Sequence, residues 1–186
     1  MLWTATDHQV STADFARGET MPAMFWHAVA TRGDQVWMRQ KEFGIWESWG
    51  WQQIGQVVSE VANGLLSLDF QAGQCAAILA NTRVEWVWAD MAILSCGGVT
   101  NGVYPTDSSE QLQYLCEDSS ATVLFVEDDE QLDKALSVRT NLPRLRHIIV
   151  FDMKGLRGLD DAMVISLDRL DRKSTRLNSS HGYISY

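Results

Sequence analysis

The stretch CAAILANTRVEWVWADMAILSCGGVTNGVYPTDSSEQLQYLCEDSSATVLFVEDDE (75–130) decides the fold. It alternates short apolar runs with segments of helical period. The runs CAAILA (75–80), GVTNGVY (98–104) and ATVLFVE (121–127) are each followed by a helical segment, starting near Arg83, Ser109 and Asp129. A fourth run, RHIIVF (146–151), follows Pro143. The runs start at 75, 98, 121 and 146, intervals of 23, 23 and 25 residues, which suit one strand plus one crossover helix. Strands apolar at every position, joined by helices, belong to a parallel sheet covered on both faces. The expected class is therefore α/β, with a parallel sheet and crossover helices.

The helix starts are marked. Thr82 with Glu85, and Ser108 with Gln111, have capping-box spacing. Asp128, Asp129 and Glu130 place carboxylates where a helix dipole is positive. The helix at 83–96 is apolar nearly all round and is expected to be heavily buried. Gly97, Gly98 and Gly102 precede or sit within a strand, so they do not form the strand–turn–helix fingerprint of a dinucleotide site. They read as small residues that let a helix and a strand approach closely, before a turn at Tyr104-Pro105.

Upstream, Thr20 and Pro22 open a helix that ends near Gly33. Alternating residues around Phe43-Gly44 predict a β-hairpin. From Trp51 the period becomes 3.6, with Ile54, Val57, Val58, Val61, Leu65 and Leu66 on one face. Residues 1–18 read as a loosely ordered lead-in. All eight tryptophans lie between Trp3 and Trp88 and are read as packing residues.

After Leu170 the patterning stops. DRKSTRLNSSHGYISY (171–186) has no period and carries local surplus Arg and Lys. KSTRLNSSHGYISY resembles a translated sequencing adaptor, so 171–186 is set aside as an artefactual tail. The expectation is that the gene continues beyond about residue 170.

The composition is that of a folded chain: 46% hydrophobic and 21% charged, with a formal net charge of -9. The acidic balance argues against nucleic acid as the main partner, because neutralising phosphates needs surplus cations. Three scattered cysteines, Cys75, Cys96 and Cys116, suggest neither a disulfide framework nor a zinc site. The N-terminus has no signal-peptide pattern, and no apolar run reaches the ~18 residues of a membrane span. The chain is expected in the cytoplasm, with a peripheral membrane contact left open.

No constellation of side chains assigns a reaction. His8, His27, His147 and His181 have no metal-ligand spacing, and His27 is read as a packed core histidine. The run Glu127–Glu130 admits Mg²⁺ binding, but helix-start carboxylates explain it more simply. Catalytic, cofactor-binding and metal-ligating residues are all expected to be none.

Several segments, in order, resemble the N-terminal region of AMP-forming acyl-CoA synthetases. WESWGWQQIGQVVSEVANGL (46–65) is similar to the family's early strand and helix, with Gly50-Trp51 where the family often has Thr-Tyr. The 75–128 segment and LPRLRHIIVFDMKGL (142–156) follow in family order, and GVYPTDS with FVEDDEQLDKAL is most similar to the long-chain fatty acid branch. The resemblance implies that residues 19–170 are part of the large N-terminal domain of such an enzyme. It implies a parent that converts ATP, a fatty acid and CoA into acyl-CoA, AMP and pyrophosphate, with Mg²⁺. The family's phosphate loop, adenine segment, ribose-binding Asp and catalytic Lys have no counterpart here and would lie downstream, so the chain alone is expected to be inactive. Asn81, Tyr104 and Pro105 match motif positions and are read as structural, a helix cap and a rigid turn. The alternatives are a fragment of another acyl- or aryl-adenylating synthetase, a standalone non-catalytic α/β binding module, or a short protein that caps a full-length synthetase.

Overall fold

The computed structural model describes residues 20–170. The expected lead-in at 1–18 and tail at 171–186 lie outside the described residues. Helix α1 (Met21–Arg32) is capped by the Thr20 hydroxyl, which accepts the Ala23 N–H, and stops at Gly33. Strands β1 (Val36–Glu42) and β2 (Ile45–Gly50) form the hairpin. Its turn places Phe43 and Gly44 in left-handed backbone, φ 47° and 84°, as two-residue hairpin turns matched to strand twist require.

Helix α2 (Trp51–Ser67) follows directly, and its first turn is held by the Gln53 side chain, which accepts the Gly50 N–H. Ile54, Val58, Val61 and Leu65 are buried, whereas Leu66, expected on the same face, is exposed. Then come β3 (Cys75–Leu79), α3 (Val84–Ser95), β4 (Val99–Val103), α4 (Ser109–Asp118), β5 (Val123–Val126) and α5 (Asp129–Val138). A 3-10 turn (Arg139–Asn141), β6 (His147–Val150) and β7 (Val164–Ser166) complete the order.

The sheet is parallel throughout, in the order β4-β3-β5-β6-β7. All residues of β3 and β5 are buried. Alternate side chains feed two cores. Ala76, Ile78, Phe125 and Ile149 face the layer of α1, α2 and α3; Ala77, Leu79, Leu124 and Ile148 face α4 and α5. Continuous apolar strands are what such a two-sided sheet needs.

The structure corrects several expectations. Strand β7 was not expected: its three residues are too few for a periodic signal, and its partner β6 supplies the pairing. Helix α3 does not use the Thr82–Glu85 box. Its cap residue is Arg83, which makes no side-chain cap bond; Gln40 of β1 accepts the Val84 N–H instead, at 3.1 Å. The Ser108–Gln111 box forms as expected, and Asp128 caps α5. His27 is exposed and not packed in the core. No residue of α3 is exposed, in line with its composition. Six of the tryptophans pack partly buried against the first core, with Trp37 stacked on Trp51 at 4.1 Å; Trp46 is exposed.

Candidate functional site at the carboxyl edge of the sheet

In an open parallel sheet, ligands bind beyond the carboxyl ends of the strands, where neighbouring strands send their loops to opposite faces. That point here lies between β3 and β5. After β3 the chain turns to α3 on one face, and after β5 it turns to α5 on the other. The loop residues that meet there are Asn81, Arg83 and Glu127.

Glu127, the first residue after β5, dominates the point. Its Oε2 accepts the Asn81 backbone N–H at 2.6 Å and the Asn81 Nδ2 at 2.9 Å. Its Oε1 meets the Arg83 guanidinium at 3.4 Å. Arg83 is gripped more tightly by Glu85, through Nε at 2.6 Å and the second terminal nitrogen at 2.8 Å. Bonding to Glu85 is the main cause that raises the guanidinium above its ordinary pKa, and the charges of Glu127 and Asp152 add to it. Asp152, after β6, is held below the usual carboxylate range, first by the Lys154 N–H it accepts and then by the Lys154 ammonium and Arg83. The loops after β3 and β5 are thus tied together by charge-assisted bonds, and the loop after β6 joins them through the Asp152 N–H, which donates to the Glu127 carbonyl at 2.8 Å.

Beside this knot an open cavity of about 660 Å³ lies at the ends of β6 and β7, lined by Phe151, Asp152, Met153, Lys154, Gly155, Arg157, Ser166 and Asp168. Lys154 is paired with Asp152 at 3.2 Å. The lining carries both signs of charge, Asp152 and Asp168 with Lys154 and Arg157.

Asn81 is therefore not the helix cap expected of it. It lies before the α3 cap and bridges β3 to β5 through Glu127. Tyr104 and Pro105 do form a turn, in which the Tyr104 N–H donates to Asp107 and the Lys134 ammonium donates to the Pro105 carbonyl. The acidic run divides by role. Asp128 accepts the Gln131 N–H and caps α5, Asp129 and Glu130 occupy its first turn, and Glu127 turns to the β3 loop. Among the described residues, no three His, Cys, Asp or Glu side chains converge as a metal site would need. His147 sits half-buried on β6; His8 and His181 lie outside the described residues. The Arg83–Glu127–Asp152 knot was missed. Its members are 44 and 25 residues apart in sequence (127 − 83 and 152 − 127), and the one available signal was that Glu127 and Asp152 directly follow the apolar residues of the third and fourth runs, with Arg83 three residues past the first.

Comparison with known proteins agrees with this architecture. Residues 25–173 match the model of the family described as AMP-binding enzyme. The long-chain-fatty-acid–CoA ligase FadD15 of Mycobacterium bovis is 33% identical over 150 residues, which cover 80% of this chain and 25% of that protein. The human long-chain-fatty-acid–CoA ligase ACSBG1 is 30% identical over 132 residues, 71% of this chain and 18% of its own length. Among solved structures, the anthranilate CoA ligase AuaEII in complex with anthranoyl-AMP superposes with a TM-score of 0.71 at 22% identity, covering 82% of this chain and 27% of that one. Acetoacetyl-CoA synthetase from Streptomyces lividans gives 0.72 at 19%, covering 81% and 24%. At those identities the likeness is one of fold. The chain spans about a quarter or less of the length of these relatives.

Proposed function

The chain belongs to the AMP-binding enzyme family, and on that premise we propose that it is the N-terminal fragment of a long-chain fatty acid–CoA ligase, inactive by itself. The supporting observation is the 33% identity to FadD15 over 150 residues, confined to a quarter of that protein. The parent joins a fatty acid to CoA through an acyl-adenylate, using ATP and Mg²⁺ and releasing AMP and pyrophosphate. The cytoplasm is the proposed compartment, which suits three free cysteines. No helix among the described residues is long and apolar enough to cross a membrane.

The residues at the switch point do not fit a nucleoside triphosphate. The donors at the switch point, Asn81 and Arg83, are already bonded to carboxylates, and Glu127 adds a negative charge at the same point. No chemical step is assigned to them. This arrangement supports a scaffold role, with anion-cradling N–H groups and a cation for the developing phosphate charge supplied from elsewhere in the parent.

ATP–pyrophosphate exchange tests the reading. The 186-residue chain is expected to give no exchange with palmitate. The product of a source-DNA frame that runs on past residue 170 into a Ser/Thr/Gly-rich loop is expected to exchange. Exchange by the chain alone would remove the claim of inactivity. Exchange by the longer product with an aryl acid and not with palmitate would replace the long-chain reading by an aryl-adenylating one. A frame that ends at Tyr186 in source DNA would remove the fragment reading.

A further inference from the structure

Helix α3 starts without a cap of its own. The first N–H groups of a helix have no partner inside it, and the cap residue here, Arg83, makes no side-chain cap bond. The missing acceptor comes from the hairpin, where the Gln40 side chain takes the Val84 N–H at 3.1 Å. One turn further along α3, Trp88 meets Trp49 of β2 edge-on, with ring centroids 6.5 Å apart. Residues four apart share a helix face, so the hairpin lies along the first turn of α3.

The hairpin is anchored at its base. The Trp51 N–H donates to the Gln35 carbonyl at 3.1 Å and the Gln52 N–H to the Gly33 carbonyl at 3.0 Å. Among the described residues, β1 and β2 form no ladder with the five-stranded sheet. Beyond the base, side chains make the seat on α3: Gln40 on the Val84 N–H and Trp49 on Trp88, with Met38 packed against the core.

The other side of that joint is the charge knot. Arg83, next to Val84, reaches Glu127 Oε1 at 3.4 Å. Asn81 gives its backbone N–H to Glu127 Oε2 at 2.6 Å. The Glu127 carbonyl in turn accepts the Asp152 N–H at 2.8 Å. Residues 81–84 thus carry both contacts, and a span that short has no slack to absorb a shift at one end.

We infer that the β1–β2 hairpin is a strap on the carboxyl edge of the sheet: its seat at Gln40 sets the start of α3, and through residues 81–84 it holds the Asn81–Arg83–Glu127 knot closed. A hairpin lifted from α3 uncaps the helix, its first turn frays, and the Asn81 and Arg83 donors come away from Glu127. The strap links a surface element to the switch point. The inference rests on these contacts and stands apart from the ligase reading.

Amide hydrogen exchange of the full chain, followed residue by residue, tests it. In Gln40→Leu the Val84 amide is expected to exchange roughly fivefold faster, the effect of one lost cap, and the Asn81 and Asp152 amides to speed up with it. Gln40→Glu keeps an acceptor in place and is expected to restore the parent rates at all three. The Leu132 amide of α5, bonded to the Asp128 carbonyl, should not change. Coupling is reciprocal, so Glu127→Gln, which leaves the hairpin intact, is expected to speed exchange at Val84. Faster exchange at Val84 alone in Gln40→Leu makes Gln40 a local cap and overturns the inference. Equal acceleration at every amide, Leu132 included, overturns it as a loss of global stability. Unchanged rates in both Gln40→Leu and Glu127→Gln overturn it as well.

Discussion

Single side chains decide how tightly the elements sit. A Cβ on Gly98 would lie 2.6 Å from Phe70 Cε1 and 3.1 Å from Ile93 Cγ2, and Phe70 is buried. Gly98→Ala is therefore expected to cost roughly 1–3 kcal/mol through overpacking, read as a lower denaturant midpoint at an unchanged slope. The reading as a close-approach residue holds for Gly98, whereas Gly97 takes left-handed backbone, φ 73°, and a Cβ on Gly102 would meet Trp86 only at 3.6 Å. Asp161, ahead of β7, accepts from the Arg139 guanidinium and from the Met163 N–H, in that order of effect, and its carboxyl is held below the usual range. The folded chain thus binds fewer protons than the unfolded one as pH falls. The pair's stabilisation is complete above about pH 4 and fades as pH drops through the depressed folded value. Because Arg139 is partly exposed, Asp161→Asn is expected to cost only about 0.5–1 kcal/mol at pH 7, and the gap from the parent chain should narrow as pH falls below about 4 in a pH series of thermal melts. Burial pushes the Cys96 thiol up to about 11 and Cys116 to about 12, so both are poor thiolates at neutral pH.

At the scale of elements, caps separate local from tertiary control. Ser108 both accepts the Gln111 N–H and has its own N–H held by Gln111, so Ser108→Ala is expected to cost about 1 kcal/mol. Thr82 has the same sequence spacing to Glu85 yet no cap role, because Glu85 is taken by Arg83 and the Val84 N–H by Gln40. Thr82→Ala should change the melting temperature little, and Gln40→Ala more, a comparison differential scanning fluorimetry can make. Helices α4 and α5 were legible because their caps are made within four residues. The start of α3 was read to within a residue, but its capping partner was not, because that partner, Gln40, comes from the hairpin. Strand β7 was illegible for a similar reason: its identity is the ladder it makes with β6.

For the whole molecule, the sheet order controls both the candidate site and the surface left open. Strand β4 is an edge strand with Val99 54% exposed, and a bare edge with apolar side chains invites pairing with other chains. The chain is expected to scatter light in a concentration-dependent way during refolding, and Val99→Lys to reduce the signal; no scattering from the parent chain would instead favour a self-sufficient binding module. Period and composition by themselves determined the α/β class, four of the five parallel strands, the preceding helix and hairpin, and the burial of α3. Those features follow from side chains spaced along one segment, and spacing is written in the chain. Only the tertiary structure decided that β5 lies beside β3, that Glu127 therefore reaches Asn81 and Arg83, and that Gln40 caps α3. Each of these joins residues more than 40 positions apart, and no local pattern encodes which distant strand becomes a neighbour.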